Sequence, residues 1–277
     1  MSQSLPTPKP LFDTYENLTE PNPETIAYIN SLNITDSLKE YELCIEFLKS
    51  YAKSNDTYTA YRREVERLLH WSWLAVKKSL RTLNRNDIRE YMEFIHTPPA
   101  NWMAIKITHR FITNPQGIRI ANPAWRPFVA KISKTARRLG QSPDKSNYKL
   151  SNKSIEAIFA ILGSLFNFLQ QEEYLEVNPV ALIRQKKGYI QRQQTRKVTR
   201  RLSKLQWHYV ITTCEEMARE DAQHERTLFL MSAFYLLGLR ISELAYGEER
   251  SAEMGNFAPD KRGLWWYTTV GKGNKIR

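Results

Sequence analysis

Two short runs near the end of the 277-residue chain carry side chains suited to work on a phosphate: Leu236-Leu237-Gly238-Leu239-Arg240-Ile241-Ser242-Glu243-Leu244-Ala245, and Gly271-Lys272-Gly273-Asn274-Lys275. A guanidinium presents N–H donors in a rigid fork that matches an oxyanion, whereas an ammonium is a compact charge on a flexible stem. Leu230, Phe234, Leu237, Ile241 and Leu244 recur at helical spacing, which predicts a helix from Arg226 to Leu244 with Arg240 at the edge of the apolar stripe. A guanidinium in that position is partly desolvated and needs a partner, and Glu243, three residues on, is spaced to be one. A glycine inside a helix costs about 1 kcal/mol against alanine, so Gly238 predicts a close backbone approach there. The second run reads as a turn with Lys272 at its tip, since glycine and asparagine are what tight hairpins use. It lacks the spacing and the Ser or Thr of a nucleotide-binding phosphate loop, which excludes an ATPase.

The elements that must position these residues are mostly helical. Asp36 or Ser37 caps a helix whose apolar positions are Leu38, Tyr41, Ile45 and Leu48. Thr57 to Trp73 places Tyr58, Tyr61, Val65, Leu68 and Leu69 on one face, with Arg62, Arg63 and Arg67 toward the margins. Asn86 and Asp87 cap a third helix that Pro98-Pro99 closes, and a fourth runs from Ser154 to about Asn178. Between the third and fourth lies a stretch, 101 to 153, too long for an ordinary connection, and its section 131–153 holds seven Lys or Arg against Asp144. It predicts an inserted subdomain or a DNA-facing flap. Leu202-Ser203 opens a further helix, and Leu264 to Val270 reads as a strand before the turn.

Charge is divided along the chain. Residues 1–50 carry three Lys and eight Asp or Glu, while the rest carries 38 basic against 21 acidic residues. A basic body of this kind is the electrostatic footprint of a polyanion binder, and the acidic leader is either a partner-binding arm or a solvated segment. Residues 184–204 contain nine Lys or Arg and no acid, the composition of a cationic interdomain linker. Cys44 and Cys214 are too few for a disulfide framework or a cysteine metal cluster, and no metal or other cofactor is expected. The N-terminus lacks the basic-then-apolar run of a secretory signal, and no apolar stretch reaches the ~20 residues of a membrane span. These features predict a cytoplasmic protein with no membrane partner.

Taken together, Leu239-Arg240-x-Ser-Glu-Leu, the strand, and Gly-Lys-Gly-Asn-Lys resemble the tyrosine recombinase (phage integrase) family. The upstream region is similar too: Thr57-x-x-x-Tyr61-Arg62-Arg63 on a helix, a helix ending near Leu175-x-x-Asn178-Pro179, and a linker into a second domain at Leu202-Ser203. The resemblance spans roughly residues 37–99 and 150–277. It implies a mainly α fold, with a SAM-like four-helix core-binding domain at 37–183 (insertion at about 100–150), a linker at 184–201, and the first part of an α+β catalytic domain at 202–277. Residues 1–36 would be the acidic leader. The implied partner is duplex DNA, contacted by Thr59, Arg62 and Arg63 and by linker residues Lys186, Lys187, Arg192, Arg196, Lys197, Arg200 and Arg201.

By position Arg240 matches the family's first catalytic arginine and Lys272 its hairpin lysine, with Glu243 orienting Arg240. The implied chemistry is site-specific strand cleavage through a 3′-phosphotyrosyl intermediate. Arg240 would meet the charge that develops on the nonbridging oxygens, and Lys272 would give a proton to the departing 5′ oxygen. The family's His-x-x-Arg pair and nucleophilic tyrosine would follow Arg277. The expectation is therefore a chain that binds duplex DNA but does not cleave it alone, and that assembles as a homotetramer on paired sites when full length. The competing expectation is a non-catalytic basic helical protein that binds DNA or regulates it.

Overall fold

The computed structural model describes residues 5–18, 22–183, 201–245, 253–271 and 275–276. The chain divides into two compact units, residues 1–193 and 194–277, and is mainly helical with small two-stranded sheets. No helix among the described residues is long and apolar enough to cross a membrane.

In the first unit the long helices are α1 (Pro23–Ser31), α2 (Ser37–Lys49), α3 (Asn55–His70), α4 (Arg85–His96) and α6 (Asn152–Gln171), with a short α5 (Lys134–Arg138). Their starts are set locally. Side chains of Asn22, Ser54, Asn84 and Ser151 accept hydrogen bonds from first-turn backbone N–H groups, which otherwise have no helical partner. Asp36 precedes α2 without such a bond, and Asn84 rather than Asn86 caps α4, with Asp87 completing a capping box. The apolar faces of α2, α3, α4 and α6 meet in one core that includes Leu48, Leu68, Ile88 and Leu165. A five-residue π-helical turn, Trp71–Ala75, extends α3 and buries Trp71 and Trp73.

Two expectations are corrected here. The described part of the leader, residues 5–18 and 22–36, is not a solvated segment. Leu11, Phe12, Leu18 and Ile29 are buried in the same core, and Glu66 of α3 accepts the backbone N–H of Leu11 at 2.7 Å. A helix capped by Asn22 with Pro23 at its first position was legible as a start signal and was missed. The long connection, likewise, is not a separate subdomain or flap. Its strands β1 (Met103–Ala104) and β4 (Phe128–Val129) pair in parallel, and β2 (Phe111–Thr113) and β3 (Arg119–Ala121) form a hairpin. Trp102 and Phe128 are fully buried in the common core, so this stretch is a wall of the first unit.

His70 lies at the end of α3, fully buried, with neither ring nitrogen hydrogen-bonded among the described residues. Burial pushes its pKa down to about 4. The folded state thus binds this proton more weakly than the unfolded chain, so His70 adds stability above pH ~6.5 that is lost as pH falls toward 4. The expected loss across that window is about 3 kcal/mol, and His70→Phe is expected to flatten the dependence in urea titrations at pH 7 and pH 4.5.

The second unit contains α7 (Lys204–Glu220), α8 (Glu225–Leu236), α9 (Ile241–Leu244), β5 (Phe257–Pro259), β6 (Trp265–Tyr267), β7 (Val270–Gly271) and β8 (Lys275–Ile276). Ser203 caps α7 in a reciprocal box with Gln206. The single helix expected over Arg226–Leu244 is broken. α8 stops at Leu236, and Gly238 adopts φ +62°, the left-handed conformation that glycine takes just past a helix end. Nothing lies within 4 Å of where a Cβ would stand at Gly238, so backbone conformation rather than close approach explains the glycine. β5, not foreseen, pairs antiparallel with β6, and β7 pairs with β8.

Among the described residues of this unit only Cys214 and Ala233 are buried apolar side chains, while Leu205, Tyr209 and Trp265 are 79%, 73% and 70% exposed. Sparse burial means low local stability. Amide hydrogen exchange is expected to be faster across 204–271 than across α2, α3 and α6, and equal protection would contradict this account.

Candidate nucleic-acid interface

In the first unit a cleft of about 460 Å³ opens between one side of α3 and the wall formed by residues 107–131 and 148–158. From α3 it receives Arg62, Arg63 and Arg67, and from the wall Arg110, Arg119, Arg126, Lys131 and Lys149; among the described residues the only carboxylates lining it are Asp13 and Glu64. Thr59, Arg62 and Arg63, expected from sequence to face DNA, all line this cleft. The wall's arginines were not singled out by sequence reasoning. The available signal was the hairpin itself: two short β-prone runs flank Asn114-Pro115-Gln116-Gly117, where Asn114 accepts from the N–H groups of Gln116 and Ile118.

The cations are held in fixed orientations. Arg67 donates to the Pro127 carbonyl at 2.9 Å and to Glu64 at 3.1 Å, with its guanidinium 4.5 Å from the Phe128 ring centre. Arg110 pairs with Glu66 and stacks 4.9 Å from Trp125, and Arg119 pairs with Asp13. These contacts tie α3, the leader and the wall together, and they settle guanidinium geometry before any ligand arrives. Arg62, Arg126, Lys131 and Lys149 have no ion pair among the described residues.

Arg62 is 8% exposed, donates to the Asp13 carbonyl, and lies 5.1 Å over the Tyr58 ring. Burial, then the neighbouring Arg110 charge, holds its pKa below the ordinary arginine value. An anion in the cleft would relieve both effects. Tyr148, also in the lining, is pushed up to about 12 by burial, so its hydroxyl stays protonated and available as a donor.

In the second unit Arg240 is not within a helix. It stands in extended conformation just before α9, where its backbone N–H donates to Glu243 Oε2 at 2.8 Å and its guanidinium donates to Glu243 Oε1 at 2.8 Å. Glu243 is 1% exposed and Arg240 is 56% exposed at the side chain, so the carboxylate anchors a guanidinium that points largely to solvent rather than one half-buried in a stripe. Tyr267 of β6 donates to the Glu243 carbonyl at 2.7 Å, fixing the short helix against the strand. Val270↔Ile276 and Gly271↔Lys275 are the strand pairs on either side of the Lys272 turn. Lys272 itself lies outside the described residues, as do Lys186, Lys187, Arg192, Arg196, Lys197 and Arg200; Arg201 is described and exposed.

In comparisons with known proteins, no family model, curated protein or solved structure matches the chain. The described residues hold no cluster of three or more His, Cys, Asp or Glu placed to bind a metal ion. What the arrangement offers chemically is a preorganised, multiply cationic surface with unpaired donors, which suits an acceptor-rich polyanion.

Proposed function

We propose that this chain binds duplex DNA through the cationic face of its first unit together with the acid-free segment 184–204, as part of a site-specific recombination protein of the tyrosine recombinase kind. The observation that carries the DNA-binding part is the convergence of eight Lys or Arg on one concave surface against two carboxylates. Phosphate contacts dominate protein–DNA affinity, and arginines stacked on rings and pinned by carbonyls make those contacts at low entropic cost. The recombination part is supported by the Leu239-Arg240-x-Ser-Glu-Leu run and by the buried Glu243 that orients an exposed Arg240. An arginine held this way is ready to meet charge building on a phosphate.

A salt titration of binding to duplex DNA tests the proposal, because each neutralised phosphate contributes a slope of about −0.9 in log K against log salt. Affinity that does not change with salt would overturn it. Replacing Arg192, Arg196, Lys197, Arg200 and Arg201 by Gln is expected to weaken binding to all sequences alike and to lower the slope by up to about 4.5. Loss of sequence preference without a change in slope would mean that the segment reads bases instead.

A further inference from the structure

We propose that the cleft of the first unit seats one phosphate-ended nucleotide of a single nucleic-acid strand, an inference that rests on the reading of this face as a nucleic-acid interface. A volume of about 460 Å³ is that of a small-molecule site, within the range of roughly 300–1,000 Å³, and cannot admit a duplex. Duplex contacts must therefore be made on the rim, and what enters is a protruding end.

The lining says what kind of end. Arg62 Nε, Thr108 Oγ1 and Tyr148 Oη are buried polar atoms with no hydrogen-bond partner among the described residues, and all three residues line this cleft. Each carries a donor hydrogen, and leaving such a group unsatisfied costs about 1–3 kcal/mol, so their persistence together points to an acceptor supplied from outside. Three donors set among surplus cations fit a terminal phosphate, which has several acceptor oxygens and a charge of about −1.5 to −2. Bare phosphate would leave the rest of the space empty. Ile107, Phe111 and Ile158 also belong to the lining and suit a sugar and base. Thr108 and Tyr148 both come from the wall, outside the stretches that resemble recombinases.

Two substitutions separate ligand binding from folding. Tyr148→Phe and Thr108→Val remove hydroxyls that have no partner among the described residues, so the melting temperature of the double variant is expected to be unchanged or raised. The probe is hexathymidylate with a phosphate at its 5′ end, at its 3′ end, or at neither, titrated against the full chain by fluorescence anisotropy. A phosphorylated strand is expected to bind about tenfold or more tighter than the unphosphorylated one, and the double variant is expected to lose most of that preference. Thymidine monophosphate is expected to compete at lower concentration than inorganic phosphate.

Equal affinity for phosphorylated and unphosphorylated strands, or a preference that survives in the double variant, would overturn the proposal. Equal competition by inorganic phosphate would reduce the seat to a phosphate site and overturn its nucleotide part. If salt-dependent duplex binding persists while the phosphate preference is absent, this inference fails and the duplex reading stands. If neither strand nor duplex binds, both fail.

Discussion

Replacing Arg63, Arg126, Lys131 and Lys149 by glutamine is expected to weaken binding to duplex DNA about a thousandfold near 0.15 M salt and to lower the log K against log salt slope by about 3.6. The size follows from counterion release: at that salt each lost phosphate contact removes about 0.7 from log K, and four remove nearly three. The fold should tolerate the change. Arg63 is 48% exposed at the side chain, and Glu64 keeps Arg67 as a partner when Arg63 is gone. Lys131 and Lys149 are exposed, and Arg126 donates only to the carbonyls of Pro123 and Trp125. Surface substitutions of this type typically shift stability by no more than about 0.5 kcal/mol. An unchanged slope in this variant, with a reduced slope in the 192–201 variant, would place the duplex contacts on the linker rather than on the rim of the cleft.

Glu40→Leu is expected to destabilise the first unit by at least about 4 kcal/mol, a large share of the roughly 5–15 kcal/mol that holds a typical domain folded. Glu40 is fully buried, and its carboxylate accepts from Trp73 Nε1 at 2.7 Å, Ser79 Oγ at 2.6 Å, the Leu80 N–H at 2.5 Å and the Tyr174 hydroxyl at 2.7 Å. Leucine fills the space but strands the Trp73 Nε1–H and the Leu80 N–H in an apolar core, and leaves Ser79 and Tyr174, 3.1 Å apart, only each other as partners. Denaturant unfolding followed by tryptophan fluorescence measures the loss, since Trp73 reports on this point directly. A loss under about 1 kcal/mol would mean that the four donors find other acceptors.

Burial raises the Glu40 pKa despite those four bonds. The folded state therefore holds the proton more tightly than the unfolded chain, and this group's contribution is fully present below the unfolded value near 4.3 and declines as pH rises through the folded value. His70 works in the opposite direction, losing its contribution as pH falls, so the two substitutions are expected to change the pH profile with opposite sign.

What the sequence determined by itself is the set of helices and their register. A 3.6-residue period of apolar side chains is a local property, and it located α2, α3, α4 and α6 because each has its own stripe, with a side-chain cap as well on α3, α4 and α6. Thr59, Arg62 and Arg63 were marked by the family resemblance rather than by this period, and the structure places all three in one cleft lining with Arg62 buried. The period misled at Arg240, where the stripe from Leu230 to Leu244 continues across a break between two helices; only the left-handed Gly238 and the carboxylate cap from Glu243 show that one helix ends and another begins.

The tertiary structure alone decided the cleft. Arg110, Arg119 and Arg126 lie 48 or more residues beyond Arg62 in the chain, and each is brought to its place by a long-range contact: Glu66, Asp13, and the parallel pairing of β1 with β4. The leader joins the core for the same reason. Leu11 and Phe12 have no local periodicity to announce them, and they are buried because Glu66 on α3 satisfies their backbone N–H groups at a point that sequence proximity does not indicate. Local patterning fixes which face of an element is apolar. Which distant polar group completes a buried one depends on how the elements meet, and a period in the sequence carries no record of that.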